Sequence, residues 1–221
     1  DFDKKYFFSN EKNVFIDLMN GDFDLKKLSL AKAMDSISEE QSVQEFEHSV
    51  RDFLDLAKNT LKNNRNAYTI ACGTSFHATK VAALFFNEIA GMEIIPILPG
   101  DFRGEYSNCI KNNDLIIGVS QSGETKDLID IFNDIDAADL NVRKVVLVNN
   151  MNSTLGQEKS DVAIPILCGP EIAVPATKSF MNQITLFYYL AIRTAEMKLQ
   201  ELEQELDPTQ RKKREDELAR R

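Results

Sequence analysis

The sequence is poor in the residues that mark several common classes of protein. It contains no tryptophan, two histidines and three cysteines, and the cysteines are odd in number and far apart. Disulfide and metal frameworks use paired or closely spaced sets, so we expect reduced thiols, no metal, no cofactor and a cytoplasmic protein. No apolar run reaches the roughly 18 residues of a membrane-spanning helix, so no membrane partner is expected.

Positive charge is also scarce. Lysine and arginine number 26 against 35 aspartates and glutamates, which gives a net charge of -9 at pH 7. Proteins that bind nucleic acid non-specifically present a basic surface, so no nucleic-acid partner is expected. Basic residues cluster at 211–214, but acids follow at once, and we interpret this stretch as a solvated helix. The glycine patterns of nucleotide-binding loops, Gly-x-x-x-x-Gly-Lys-Ser/Thr and Gly-x-Gly-x-x-Gly, do not occur.

What the sequence does contain is an alternation of strand-like and helix-like segments. Continuous apolar runs are typical of strands covered on both faces, and alternation with helices predicts a parallel sheet. We therefore expect a three-layer α/β domain over residues 38–200, a helical N-terminal extension over 1–37 and a charged helical tail over 201–221. The predicted strands lie near 67–71, 93–97, 114–119, 144–149 and 162–166, and the helices near 42–61, 75–90, 125–138, 154–159 and 178–206.

Hydroxyl-rich turns follow two of these strands. One is Ser-Gln-Ser-Gly-Glu-Thr at residues 120–125, and the other is Cys-Gly-Thr-Ser at residues 72–75. Each precedes a helix, so side-chain hydroxyls and unpaired backbone N–H groups gather where anions bind. Ordinary helix capping also favours these residue types, but capping needs one hydroxyl and the turn at 120–125 has three. The pattern predicts a phosphorylated ligand at the carboxyl ends of neighbouring parallel strands.

Four motifs together resemble a known family. They are Cys-Gly-Thr-Ser-Phe-His-Ala at 72–78, Ser-Gln-Ser-Gly-Glu-Thr at 120–125, Asn-Ser-Thr-Leu-Gly-Gln-Glu at 152–158 and Glu-Ile-Ala-Val-Pro-Ala-Thr-Lys-Ser-Phe at 171–180. In this order they resemble the sugar isomerase (SIS) domain, most closely the first of the two SIS domains in the isomerase half of glucosamine-6-phosphate synthases. The resemblance covers roughly residues 40–198. It implies a flavodoxin-like five-stranded parallel sheet with a long C-terminal helix, a phosphosugar ligand and a homodimer.

The resemblance also implies a role for particular residues. The backbone around Val174 and Ala176 would line the reactive end of the sugar, although Pro175 stands where the family carries a small residue. The family's proton-transferring glutamate lies in its second SIS domain, so a base must come from Glu171, from another subunit or from a longer chain. The remaining implied contacts are with phosphate and nearby sugar hydroxyls, made by Thr74, Ser75, Ser120, Gln121, Ser122 and Thr125.

Two functions fit the sequence. The first is a phosphosugar isomerase-type domain that acts on fructose 6-phosphate, glucosamine 6-phosphate or a close hexose phosphate through an enediol or enolamine. The second is a non-catalytic phosphosugar-binding sensor or scaffold, or one half of a two-domain enzyme. His77 and Glu88 are weaker candidates for acid–base chemistry, Lys178 is expected to support its loop, and Cys72 is expected to be a buried thiol.

Overall fold

A parallel sheet of five strands organises the part of the chain that is described, residues 41–169 and 176–205 of a computed structural model. The strand order is β2-β1-β3-β4-β5, which is the flavodoxin-like order. The predicted α/β class and five-stranded parallel sheet are therefore confirmed. The strands are β1 (Ala67–Ala71), β2 (Ile95–Ile97), β3 (Leu115–Ser120), β4 (Arg143–Val148) and β5 (Val162–Pro165).

Helices connect the strands and cover the sheet. They are α1 (Gln41–Lys62), α2 (Gly73–Phe85), α3 (Pro99–Asp101), α4 (Lys126–Ala137), α5 (Thr154–Gln157) and α6 (Lys178–Glu205). A π-helical turn over Phe86–Ala90 continues α2, and irregular helical turns over 102–109 continue α3. In the described ranges, none of these helices is long and apolar enough to cross a membrane.

The chain groups into two units, Asp1–His48 and Ser49–Arg221. The first unit is described only from residue 41, where α1 begins. The predicted extension over 1–37 and the tail beyond residue 205 lie outside the described residues. The domain boundaries at 37/38 and 200/201 therefore stay predictions.

Alternate residues of the strands build one core against α4. Tyr68 and Ile70 of β1 share a buried cluster with Phe132 of α4. Gly118 of β3 lies beneath that ring, and a Cβ there would lie 3.1 Å from the Phe132 ring edge, so the glycine permits close packing of helix and sheet. Because β3 is buried at every position, its sequence over 115–119 is a continuous apolar run.

The long helix α6 is held to two other helices by its last turns. The Lys198 ammonium donates to the carbonyl oxygens of Ala90 at 2.6 Å and Gly91 at 2.9 Å. Gly91 adopts the left-handed conformation that ends the π-helical turn. The Glu201 carboxylate accepts from Lys58 at 2.8 Å and Lys62 at 3.0 Å on α1. These contacts bind α6 to the end of α2 and to α1.

Candidate functional site

The candidate site lies where the chain reverses its direction of travel across the sheet. β1 pairs with β3 on one side and with β2 on the other, so α2 and α4 leave in opposite directions. A crevice opens at such a switch point, outside the carboxyl ends of the two central strands. Ala71 is in register with Val119, so the turns at 72–75 and 120–125 emerge side by side. The fold thus brings together the two hydroxyl-rich turns that the sequence singles out.

Ser120 and Thr125 close the second turn through their side chains. Their hydroxyl oxygens lie 2.7 Å apart, and the Ser120 hydroxyl also accepts from the Gly123 N–H at 2.9 Å. The pair holds two hydroxyl protons, and the bond between them uses one. The other proton is available to an acceptor outside the pair. Thr125 is the N-cap residue of α4 but makes no side-chain cap bond, so the arrangement differs from ordinary helix capping.

Ser122 supplies a further hydroxyl at the rim of the same turn. Its oxygen accepts from the Glu124 N–H at 3.1 Å, which leaves the exposed hydroxyl proton available to a ligand. The first backbone N–H groups of α4, at Lys126 and Asp127, follow directly and have no carbonyl within the helix to bond. Hydroxyl and amide donors at a helix N-terminus together suit a multiply charged anion.

Gly123 fits this turn against the next loop along the sheet. Its φ of +73° lies in the left-handed region, and a Cβ there would approach the Ser153 hydroxyl oxygen to 1.9 Å. The Gly123 carbonyl accepts from the Leu155 N–H at 3.1 Å. Ser153 is buried and caps α5 through the Gly156 N–H at 3.3 Å. The motif at 152–158 therefore packs against the turn at 120–125 and holds its backbone in place.

Glu124 joins the same two loops through its charge. The Thr154 N–H donates to the Glu124 carboxylate at 2.8 Å, at the first residue of α5. This backbone bond, with a second bond from the Thr154 hydroxyl, lowers the pKa of Glu124 below its ordinary value. The carboxylate is thereby favoured in its charged form, as an acceptor and not as a proton donor. This role leaves no local signal in the sequence, because the partners lie 30 residues apart.

The first hydroxyl-rich turn opens α2. Gly73 has a φ of +56° and starts the helix, so Thr74 and Ser75 lie in its first turn, with Thr74 exposed and Ser75 half-buried. Cys72 is half-buried, not fully buried as expected, and its pKa is raised by burial and by the Asp127 carboxylate. The register of Ala71 with Val119 also places the start of α4 near the end of β1. His77 is exposed on α2.

A third connection, from β5 to α6, reaches the same edge of the sheet. The side chain of Asn149, just after β4, accepts from the Cys168 N–H at 3.0 Å and donates to the Gly169 carbonyl at 2.9 Å. The Asn149 N–H donates to the carbonyl of Gln121 at 3.2 Å, so Gln121 is held through its backbone. Ala176 is half-buried just before α6. The predicted base Glu171 and the predicted contact at Val174 lie outside the described residues, as does Pro175.

Charged groups near the crevice do not form a metal site. Within residues 41–169 and 176–205, no group of three or more His, Cys, Asp or Glu side chains is arranged to hold a metal ion. Within residues 120–128 the carboxylates are Asp127, which is exposed, and Glu124, which is bonded to α5. The arrangement can therefore bind an anion through neutral donors and helix ends, with the two carboxylates at its rim.

Comparison with known proteins identifies relatives of the chain. The sequence model of the SIS domain matches residues 60–193. Glutamine–fructose-6-phosphate aminotransferase (isomerizing) from Aquifex aeolicus is 39% identical over 62% of this chain and 22% of its own length. The enzyme of the same name from Clostridium perfringens is 31% identical over 80% of this chain and 28% of its own length. The chain thus spans about a quarter of these curated relatives.

Solved structures show the same fold. The C-terminal domain of glucosamine–fructose-6-phosphate aminotransferase from Francisella tularensis superposes with a TM-score of 0.58 at 26% identity, covering 67% of this chain and 40% of that one. A Bacteroides fragilis protein proposed to be a phosphosugar isomerase involved in capsule formation superposes with a TM-score of 0.61 at 18% identity. The superposition covers 74% of this chain and 90% of the Bacteroides fragilis chain. Its identity is low, so this second likeness concerns the fold alone.

Gly123→Ala should disrupt the turn at 120–125. The new Cβ would overlap the Ser153 side chain and occupy a left-handed conformation, which costs of order 1–3 kcal/mol in backbone strain alone. We expect a lower midpoint of thermal unfolding. Gly104→Ala is the matched control, because a Cβ at Gly104 meets nothing within 4 Å. Equal effects of the two substitutions would contradict the described packing.

The Thr154 amide proton should report the titration of Glu124. The bonds from Thr154 favour the charged Glu124 carboxylate. They therefore stabilise the fold above the unfolded-state pKa of Glu124, and this stabilisation is lost as pH falls through the lowered folded-state pKa. In ¹H–¹⁵N NMR, the Thr154 resonance should shift with a midpoint below about 4.3, the ordinary glutamate value. Glu124→Gln should abolish this shift. A midpoint at or above the ordinary value would show that the Thr154 bond does not form.

Proposed function

Because the chain belongs to the SIS domain family, we propose that it binds a phosphorylated sugar in the crevice between the turns at 72–75 and 120–125. The phosphate would lie over the N-terminus of α4, with Ser120, Ser122 and Thr125 as hydroxyl donors. Thr74 and Ser75, in the turn after the neighbouring strand β1, would add further hydroxyls to this site. Fructose 6-phosphate, which the names of the curated relatives include, is the first probe to use.

The observation that carries this proposal is the hydrogen-bond inventory of the 120–125 turn. Ser122 accepts one internal bond, and Ser120 and Thr125 share another. Each arrangement consumes oxygen lone pairs inside the turn and leaves hydroxyl protons for an outside acceptor. A turn built only to cap α4 would direct the Thr125 oxygen at backbone N–H groups, and it does not. A phosphate dianion provides the acceptors that these protons lack.

The reaction that suits such a site is aldose–ketose isomerisation. Binding energy at the phosphate, far from the reacting carbons, would fix C1 and C2 against a base and help to stabilise the transition state that leads to the enediol or enolamine. Glu171 remains the candidate base within the sequence. A base from a second subunit or from another SIS domain is the alternative, and it accords with a chain that spans only about a quarter of its relatives. Without any base, the domain would be a phosphosugar-binding module.

A homodimer also belongs to this proposal. Leu84 of α2 is 63% exposed, and Leu199 and Leu202 of α6 are close to half exposed. On α6, Met181, Tyr188, Ala195 and Leu202 recur at intervals of seven residues and so lie along one face, where Tyr188 also packs against Phe85 of α2. A second copy of the chain would cover that face.

Ser122→Ala and Thr125→Val should weaken binding of fructose 6-phosphate. Each lost hydrogen bond to a charged group costs about 1.5–3 kcal/mol. The valine keeps the shape of the N-cap residue, so α4 should stay intact. Isothermal titration calorimetry measures the affinity, and thermal unfolding checks the fold. Ser107→Ala is the control, since that exposed hydroxyl bonds only to the Arg103 carbonyl within its own turn. Unchanged affinity in both site variants would refute the proposed placement of the phosphate.

Turnover separates the two functions. Incubation with fructose 6-phosphate in heavy water, followed by NMR, should introduce deuterium at C1 or C2 of the sugar if the chain carries or recruits a base. If Glu171 is that base, Glu171→Gln should abolish the exchange without loss of binding, whereas persistent exchange would assign the base to a second subunit or domain. Binding without exchange in the wild-type protein would instead identify a phosphosugar-binding module.

A further inference from the structure

Asn149 uses both atoms of its carboxamide to hold the turn that follows β5. Its Oδ1 accepts from the Cys168 N–H at 3.0 Å, and its Nδ2 donates to the Gly169 carbonyl at 2.9 Å. One side chain thus imitates a pair of backbone ladder bonds beyond the end of β4. Leucine has a similar size but can make neither bond.

The backbone of Asn149 bonds in the opposite direction, toward the anion site. Its N–H donates to the Gln121 carbonyl at 3.2 Å, one residue past the last paired residues of β3 and β4, Ser120 and Val148. A single half-buried residue therefore touches the turn at 120–125 on one side and the turn at 166–169 on the other.

The turn at 166–169 depends on such outside bonds. Leu167 has a φ of +58°, an unfavourable conformation for a side chain of its size, and Gly169 has a φ of +65°. Strained backbone of this kind persists only where its surroundings hold it. Besides Asn149, the Asn182 carboxamide of α6 donates to the carbonyls of Ile166 at 3.2 Å and Leu167 at 3.0 Å. Two asparagines from different elements fix this turn.

The distance between the ends of β3 and β5 explains how Asn149 can influence which ligand binds. Neighbouring strands lie about 4.8 Å apart, so the ends of β3 and β5 are separated by roughly 10 Å. A bare phosphate ion at the 120–125 turn is smaller than this span, whereas a six-carbon phosphate ester is comparable to it. We propose that Asn149 is a positioning and specificity-determining residue: it fixes the turn at 166–169 relative to the turn at 120–125 and so selects phosphate esters by the group they carry. This role rests on the phosphate site proposed above.

Asn149→Leu tests the role with two probes of different length. NMR titrations that follow the amides of residues 120–125 measure the affinities for inorganic phosphate and for fructose 6-phosphate. The affinity for phosphate should stay within about twofold, as expected for an independent site. The affinity for fructose 6-phosphate should fall about tenfold, on the scale of one lost hydrogen bond's free energy. The Cys168 amide should also exchange its hydrogen faster, because its acceptor is gone.

Asn150→Leu is the matched control at the neighbouring position. The Asn150 side chain is exposed and accepts only from the Asn152 N–H, so both affinities should persist. Equal loss of both probes in Asn149→Leu, or no loss of either, would overturn the positioning role while leaving the phosphate site in place. A wild-type protein that binds neither probe would refute the proposed function itself, and the positioning role with it.

Discussion

The parallel ladder between β1 and β3 determines where the parts of the candidate site lie. It pairs Ala67 with Leu115 at one end and Ala71 with Val119 at the other, so the two turns that follow must emerge together. At the opposite edge, the buried Asp114 carboxylate accepts from the backbone N–H of Asn66 at 3.0 Å and of Lys111 at 2.8 Å. These bonds hold the starts of both strands, since an unpaired buried carboxylate would be costly. A shift in register would separate the hydroxyls of the two turns.

Support for the anion turn comes from successive strand ends along the sheet. The loop after β4 holds the turn at 120–125 through Thr154, Leu155 and the close approach of Ser153 to Gly123. Asn149 then links both to the turn after β5. Donors fixed in this way lose little conformational freedom when a ligand binds, so more of the interaction energy appears as affinity. The site is thus organised by contacts between loops as much as by the residues that face the ligand.

The sheet and the site turns could be predicted because their signals are local. Uninterrupted apolar runs marked β3 and β4, and strand–turn–helix order marked the turns at 72–75 and 120–125. The helical segment at 99–109 was missed because most of its side chains are exposed and no apolar period shows. The bond from Thr154 to Glu124 could not be predicted, since it joins residues 30 positions apart through the folded sheet. The predictions for Glu171 and Val174 fall outside the described residues.

The contacts of the last turns of α6 bear on where such a domain can be divided. The SIS family match ends at residue 193, which suggests a convenient limit for an isolated domain. A polypeptide cut there would keep both hydroxyl-rich turns. It would lose Lys198, which binds the carbonyls at the end of α2, and Glu201, which pairs with two lysines of α1. The ends of α1 and α2 would then lack these partners, so the contacts that hold the outer helices extend beyond the limit that sequence similarity draws.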